Sequence, residues 1–153
     1  MTQITHTPVK LTITREDIDD AGNYIGASDV SAWQGRIEIA ADLGWVRFAG
    51  DVRATQSIIA MQGSGIKAGD SIKAGWGIKA GGGIEAGSGI KAGLGIEAGL
   101  GIKAKWLSVR LRIFAGVCMW RLPEPGEMEI RAELRSGTVA FGKHIQPDRM
   151  HMQ

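Results

Sequence analysis

Seven tandem six-residue repeats occupy residues 63–104 and constrain the fold more than any other feature of the chain. They read GSGIKA, GDSIKA, GWGIKA, GGGIEA, GSGIKA, GLGIEA and GLGIKA. Isoleucine recurs every six residues, and alanine follows it two places later. A short fixed period is typical of solenoids, in which each unit buries its apolar side by stacking on its neighbours.

Each repeat has the pattern of a short β-strand followed by a sharp bend. Isoleucine and alanine point to one side and lysine or glutamate to the other, as strand alternation requires. The glycines let the chain turn without a steric penalty from Cβ. In a helix each glycine would cost about 1 kcal/mol relative to alanine, and a disordered glycine-rich linker would lack the apolar period. The repeats therefore predict an all-β fold.

The outward charges indicate how many repeats form one coil. In chain order they are Lys67, Lys73, Lys79, Glu85, Lys91, Glu97 and Lys103. Three repeats per coil stack Lys67–Glu85–Lys103 and Lys79–Glu97 with alternating sign, which stabilises neighbouring strands. Two repeats per coil would instead stack four lysines in one column. We therefore predict a parallel, three-sided β-solenoid of about 18 residues per coil, with Trp76 stacked over Leu94 at one corner.

The six-residue spacing extends upstream through Val46, Val52 and Ile58, with two extra residues in a corner loop at Met61–Gln62. We predict one structural domain in three parts. Residues 1–34 form an N-terminal cap with a strand at 9–13. Residues 35–106 form the β-solenoid, whose N-terminal side is degenerate. Residues 107–153 form a small antiparallel C-terminal β cap and a tail, with a strand at 117–122.

Composition narrows the cellular context. No stretch approaches the roughly 18 consecutive apolar residues of a membrane span, and the polar start has no signal-peptide pattern. Cys118 is the single cysteine of the chain, which fits a reducing compartment. We therefore expect a cytoplasmic protein that does not contact membranes.

Charge is distributed unevenly along the chain, although the net charge is only +2. Residues 1–50 hold seven acidic and four basic residues, whereas residues 105–153 hold five acidic and eight basic residues. The basic end could meet nucleic acid or an acidic protein. No motif of a known nucleic-acid module accompanies it.

The sequence offers no catalytic, cofactor-binding or metal-binding constellation. The three histidines, His6, His144 and His151, lack partners at metal-ligand spacing, and Cys118 lies in the apolar run FAGVCMW. The Gly-x-Gly segments lack the strand-to-helix context and the lysine-serine ending of phosphate-binding loops. We therefore expect no catalytic, cofactor or metal residues, and a protein that is not an enzyme.

The six-residue period also resembles the hexapeptide-repeat acyltransferases, a resemblance that implies a three-sided left-handed β-helix and acyl transfer. In that family a small residue precedes the aliphatic one by two positions, and a histidine lies near the coils. Here Ala68 follows Ile66, and no histidine occurs between His6 and His144. Acyl transfer remains an alternative.

The blocks GRIEIAADLGWVRFAGDVRA and GWGIKAGGGIEAG resemble a class of short bacterial Gly-Ile-Lys/Glu-Ala repeat proteins encoded in mobile-element regions of genomes. The resemblance spans residues 35–104. It implies a small cytoplasmic accessory protein that acts by binding. Immunity proteins against toxins and inhibitors of host or phage defence systems are typical of such regions.

These observations favour a non-catalytic β-solenoid that binds another protein stoichiometrically, as an immunity protein or inhibitor of a toxin, nuclease or defence component. The candidate partner-binding residues are Trp76, Leu94, Leu100, Arg110 and Arg112. Trp33 and Trp45 are further exposed candidates, whereas Trp106 and Trp120 are expected in the core. The alternatives are self-association into a homo-oligomer and nucleic-acid binding through the lysine and arginine faces.

Overall fold

A computed structural model describes residues 9–118 and 121–146, and nearly all of its regular structure is β-strand. The strands are β1 (Val9–Ile13), β2 (Gly35–Ile39), β3 (Gly44–Phe48), β4 (Val52–Ala54), β5 (Ile58–Ala60), β6 (Ser64–Ala68), β7 (Ile72–Ala74), β8 (Ile78–Ala80), β9 (Ile84–Ala86), β10 (Gly89–Ala92), β11 (Ile96–Ala98), β12 (Ile102–Ala115), β13 (Glu129–Phe141) and β14 (Lys143–Ile145). Short 3₁₀ turns lie at Arg15–Asp17 and Pro125–Met128. Among the described residues, no helix has the length and apolar character that a membrane span needs.

The strands stack in parallel on three faces, which confirms the predicted solenoid. Face 1 contains β1, β2, β5, β8 and β11, followed by the ends of β12 and β13. Face 2 contains β3, β6 and β9, followed by the starts of β12 and β13 and by β14. Face 3 contains β4, β7 and β10, followed by the middle of β12 and of β13.

The register confirms that three repeats form one coil. Ile66 pairs with Ile84, and Ile84 pairs with Ile102, so each of these isoleucines stacks on the third repeat isoleucine after it. The two predicted columns of alternating charge are present, Lys67–Glu85–Lys103 and Lys79–Glu97. The remaining repeat charges, Lys73 and Lys91, stack on each other. The opposite charges contact each other, with nitrogen–oxygen distances of 3.7 Å for Lys67–Glu85 and 3.8 Å for Lys79–Glu97.

The core consists of the inward isoleucines and alanines, which form continuous columns along the axis. At the N-terminal end the partly buried side chains of Leu11, Tyr24 and Trp33 pack against it. At the C-terminal end His144 pairs with Ile130 and so occupies the next position of the isoleucine column on face 2. Its ring Nε2 lies 2.9 Å from the carbonyl oxygen of Ala132, to which it can only donate. A half-buried polar ring therefore ends this column.

Glycine is required where neighbouring coils approach each other most closely. A Cβ atom on Gly93 would overlap the carbonyl oxygen of Gly75 in the adjacent coil. The same overlap relates Gly87 to Gly69. The repeat therefore keeps glycine after alanine because the stacked backbones leave no space for a side chain.

The N-terminal coils are longer than the regular ones, as the degenerate sequence predicts. Ile37 pairs with Ile58 and Ile58 with Ile78, so each of these coils contains more residues than the regular coil between Ile66 and Ile84. The extra residues at Met61–Gln62 form a corner, where Gln62 accepts a backbone hydrogen bond from Asp42. The boundary proposed at residues 34/35 interrupts no stacking, because β1 pairs with β2 along its whole length.

The expectation of an antiparallel C-terminal cap is wrong. β12, β13 and β14 pair in parallel and continue the three-sided path, and β12 crosses the boundary proposed at residues 106/107. Alternation of apolar and polar residues predicts a strand but not its direction. The connection between β12 and β13 returns the chain to face 2, so that Ile130 stacks on Ile102 in the same direction.

Two smaller expectations for this region also fail. The strand expected at 117–122 does not form in its described residues, because residues 117–118 and 121–122 lie in the connection between β12 and β13. Trp106, expected in the core, lies outside it over Gly89 and under the guanidinium of Arg135, whose Cζ is 4.6 Å from the ring centroid. Trp120 and the tail from Pro147 lie outside the described residues.

Candidate functional site

Three apolar side chains form a ridge along the corner between face 3 and face 1. Trp76, Leu94 and Leu111 belong to successive coils, and their backbones are directly hydrogen-bonded. Leu94 donates to the carbonyl of Trp76 at 2.6 Å, and Leu111 donates to that of Leu94 at 2.9 Å. The three side chains are 51%, 45% and 55% exposed. Stacked coils thus align large apolar groups in one solvent-facing row, which we call the ridge.

A groove of about 890 Å³ runs along face 1 beside the ridge. Its apolar lining includes Ile59, Leu111 and Phe114. Its floor is open at Gly77 and Gly95, which carry no side chain. An ion pair, Lys79–Glu97, crosses its middle. Leu111 therefore belongs both to the ridge and to the groove.

Two arginines flank Leu111 and line the same groove. Arg110 and Arg112 are exposed. Neither forms an ion pair or a side-chain hydrogen bond within residues 9–118 and 121–146. Other arginines of the chain are neutralised locally: Arg53 by Asp51, Arg121 by Glu127, Arg131 by Glu129 and Arg135 by Glu133. The groove is thus an apolar channel with two unneutralised guanidinium groups at one end.

Four of the five predicted partner-binding residues lie together here, namely Trp76, Leu94, Arg110 and Arg112. The fifth, Leu100, lies at a different corner, between face 1 and face 2. There it stacks on Gly82 through a 3.1 Å backbone hydrogen bond. It is half-buried, whereas the residues of the ridge are exposed. The chain returns to the same corner only after three repeats, and Leu100 lies one repeat after Leu94. The two leucines therefore occupy adjacent corners.

The other two tryptophans predicted as partner-binding candidates lie elsewhere on the solenoid. Trp33 is half-buried at the N-terminal end of face 3, where it pairs with Ala54. The ring of Trp45 lies on the outside of face 2 over Gly65 and Gly83, and 38% of the residue is exposed. Neither residue contributes to the ridge.

Face 3 carries a column of like charges. Arg53, Lys73 and Lys91 are stacked on β4, β7 and β10 and are all exposed. Arg53 contacts Asp51 at 3.4 Å, whereas Lys73 and Lys91 have no carboxylate partner in the described part of the chain. Like charges opposite each other on neighbouring strands destabilise a sheet. Within the seven repeats, Lys73–Lys91 is the one stacked pair of like charge.

The connection between β12 and β13 contains the most perturbed carboxylate. Glu127 accepts two 2.7 Å hydrogen bonds from the guanidinium of Arg121 and a 2.9 Å bond from the backbone of Glu124. These donors lower the pKa of Glu127 from 4.5 to about 2. The pair closes the connection and lies outside the groove lining.

No cluster of three or more histidine, cysteine, aspartate or glutamate side chains in the described ranges could hold a metal ion. His144 is engaged at the end of the core, and His6 and His151 lie outside the described residues. No protein-family model matches the chain, and neither a curated protein nor a solved structure shows significant similarity to it.

Sequence reasoning did not identify Leu111, Phe114 and Ile59 as part of this surface. Leu111 and Phe114 follow the last repeat, and Ile59 precedes the first. Stacking nevertheless places Phe114 next to Glu97, and Ile59 next to Lys79. For Phe114 and Ile59 the signal in the sequence was an apolar residue at a position where the repeats carry lysine or glutamate.

Proposed function

We propose that the chain is a non-catalytic protein-binding solenoid that binds its partner through the ridge and the groove. The observation that carries this proposal is the row of Trp76, Leu94 and Leu111, each about half exposed and aligned in consecutive coils. Aromatic and large apolar side chains dominate contact energies at protein interfaces. A rigid stack of strands also presents such a row with little entropy left to lose on binding.

The partner class comes from the sequence resemblance. Immunity proteins and inhibitors act by occupying a surface of a toxin, a nuclease or a defence component, and they do so stoichiometrically. Such a complex buries about 1,200–2,000 Å² in total, so we expect the contact to include the surface around the ridge and the groove. The same ridge would serve a homo-oligomer. A cytoplasmic location is part of this proposal.

A comparison of two double variants tests the ridge. We expect Trp76→Ala/Leu94→Ala to remove the proteins that the wild-type chain captures from a lysate of the source cells, and to remove any oligomer seen by light scattering. Exposed positions contribute within about 0.5 kcal/mol to folding, so the melting temperature changes little. The control, Met61→Ala/Leu122→Ala, removes two exposed apolar side chains elsewhere.

The proposal fails if the ridge variant captures the same proteins in the same stoichiometry as the wild type. Inhibition of a purified partner at far less than one equivalent would also contradict it, because such inhibition requires turnover. Acyl transfer, the enzymatic alternative, would then be examined first.

A second candidate function, nucleic-acid binding, is favoured by the column of Arg53, Lys73 and Lys91. Lys73 and Lys91, which have no carboxylate partner in the described part of the chain, are stacked on neighbouring strands and could contact successive phosphates. Such binding weakens steeply with salt. An electrophoretic mobility shift at low salt that Lys73→Gln/Lys91→Gln abolishes would support it. No shift of either single- or double-stranded DNA or RNA at low salt would remove this candidate.

A further inference from the structure

We infer that the groove on face 1 binds an extended acidic segment of a partner protein, one that also carries bulky apolar side chains. This inference rests on the proposed function and names the chemistry of the partner at the same surface. It follows from the dimensions of the groove, its apolar lining and its unneutralised charge.

The groove has the length of a short extended peptide. Ser57, Gly77, Gly95, Arg112 and Thr138 line it in five consecutive coils. Neighbouring strands lie about 4.8 Å apart, so the five levels span about 19 Å, the length of about six residues of extended chain. An extended segment can lie across the strands along the solenoid axis, with its side chains over the glycine floor.

The lining provides apolar contact on both sides of that path. Ile59 and Phe114 are half-buried on the outward side of face 1, where the regular repeats carry charged side chains. Leu111 stands opposite them at the corner and is 55% exposed. A leucine, phenylalanine or tryptophan of the partner would cover these groups and displace water from them. The partner segment therefore contains at least one such residue.

The charge of the groove selects the remaining partner residues. Lys79 is paired with Glu97, so Arg110 and Arg112 provide the net charge of the lining. A guanidinium group binds a carboxylate through two parallel hydrogen bonds and gains strength where water is excluded. Aspartate or glutamate side chains next to the apolar residue of the partner would form these hydrogen bonds with Arg110 and Arg112 and neutralise their charge.

Two other occupants fit less well. A nucleic acid would place its evenly spaced phosphates along the whole groove, over the apolar side chains of Ile59 and Phe114, whereas a peptide can place its acidic residues at the two arginines alone. A second copy of this chain offers two acidic segments. In residues 124–129, Glu127 and Glu129 are already paired with Arg121 and Arg131. The other segment is residues 16–20. Its apolar residue, Ile18, is buried at the N-terminal end of the core. It cannot enter a groove without unfolding its own coil.

Selection from a library of random twelve-residue peptides displayed on phage, with the full chain as the target, tests the inference. We expect the enriched peptides to combine two or more acidic residues with an aromatic or aliphatic residue. A labelled synthetic copy of the most enriched peptide is then titrated by fluorescence anisotropy. Its affinity should fall at least tenfold when its carboxylates are replaced by amides. This comparison does not depend on the folding of any variant.

Variants of the chain locate the binding site. Arg110→Gln/Arg112→Gln should weaken the labelled peptide at least tenfold. The control, Arg47→Gln/Lys105→Gln, removes the same charge from exposed positions outside the groove lining and should change affinity less than twofold. Raising the salt concentration should weaken the wild type more than the arginine variant.

Three results would overturn the inference. They are enrichment of no peptide or of basic or uncharged peptides, equal affinity of the arginine variant, and displacement of the labelled peptide by a twelve-nucleotide oligothymidylate. Dissociation of a homo-oligomer by the peptide would assign the groove to a second copy instead. If the peptides fail while Trp76→Ala/Leu94→Ala still abolishes capture of a protein partner, the acidic segment is wrong and protein binding stands.

Discussion

The regular coils and the coil that follows them stack in the same way but carry different residues at equivalent positions. At equivalent positions Gly89, Gly93 and Gly95 of the regular coil are followed in the stack by Trp106, Arg110 and Arg112 of β12. The inward positions do not change in character, since Ile90 stacks on Leu107 and Ile96 on Ile113. The two regions therefore share a core and differ on the outside.

The difference lies in how the chain turns its corners. In the regular coils strands of three to five residues are separated by tight bends, whereas β12 runs for 14 residues across all three faces. A rounded corner leaves space for side chains that a tight bend of glycines excludes. Three residues that line the groove, Arg110, Leu111 and Arg112, lie where the corners no longer require glycine. Stacking thus requires the apolar period, and the glycines are needed only for the tight corners.

The largest effect is expected from one alanine placed at a stacked corner position of each region. Gly93→Ala places a Cβ atom against the carbonyl oxygen of Gly75, and overpacking of this kind costs about 1–3 kcal/mol. Arg110→Ala, at the next position of the same stack, should change stability within about 0.5 kcal/mol. Urea denaturation of both variants measures the difference. Equal stabilities would show that the glycines are not required for the tight corners.

The sequence predicted the regular coils in detail because two periods coincide there. Isoleucine every six residues sets the inward face, and the alternating charges set three repeats per coil; both follow from local chemistry. The coil after the repeats was less predictable because its first side is one residue shorter than a repeat. Ile84 precedes Ile90 by six residues, but the stacked Ile102 precedes Leu107 by only five. Continuing the six-residue count past Ile102 therefore assigns the wrong face to later residues.

The residues of the candidate site could also be placed from the sequence only within the regular repeats. Trp76 and Leu94 could be placed at one corner because they are three repeats apart, which is one full regular coil. Leu111 falls one residue short of the same spacing from Leu94, so only the structure shows that it extends the ridge. The direction of β13 could not be predicted either, because it depends on where the connection after β12 re-enters the stack and not on local alternation.

Charge reversal tests the difference between the like-charged and the alternating columns of the regular coils. Lys73→Glu places an acidic group between Arg53 and Lys91, so we expect a gain of about 0.2–1 kcal/mol in the free energy of unfolding. The matched change Lys79→Glu removes the pair with Glu97 and should lower stability by a similar amount. Thermal and urea unfolding at low salt provide the measurement, and both effects should shrink as salt rises. A loss of stability in both variants would contradict a repulsive column on face 3.

The smallest effect on stability is expected in the connection between β12 and β13, where an exposed ion pair takes the place of the regular glycine corner. Arg121→Gln removes the two hydrogen bonds that lower the pKa of Glu127 to about 2, so this pKa should rise towards its ordinary value of 4.5. Because the folded-state pKa is depressed, the contribution of the pair is present above pH 4.5 and is lost as pH falls towards 2. Carbon-detected NMR titration of the Glu127 carboxylate measures the shift, and Arg135→Gln is the control because Arg135 pairs with Glu133 instead. If Glu127 in Arg121→Gln still titrates near 2, the backbone donor at Glu124 and not Arg121 lowers its pKa.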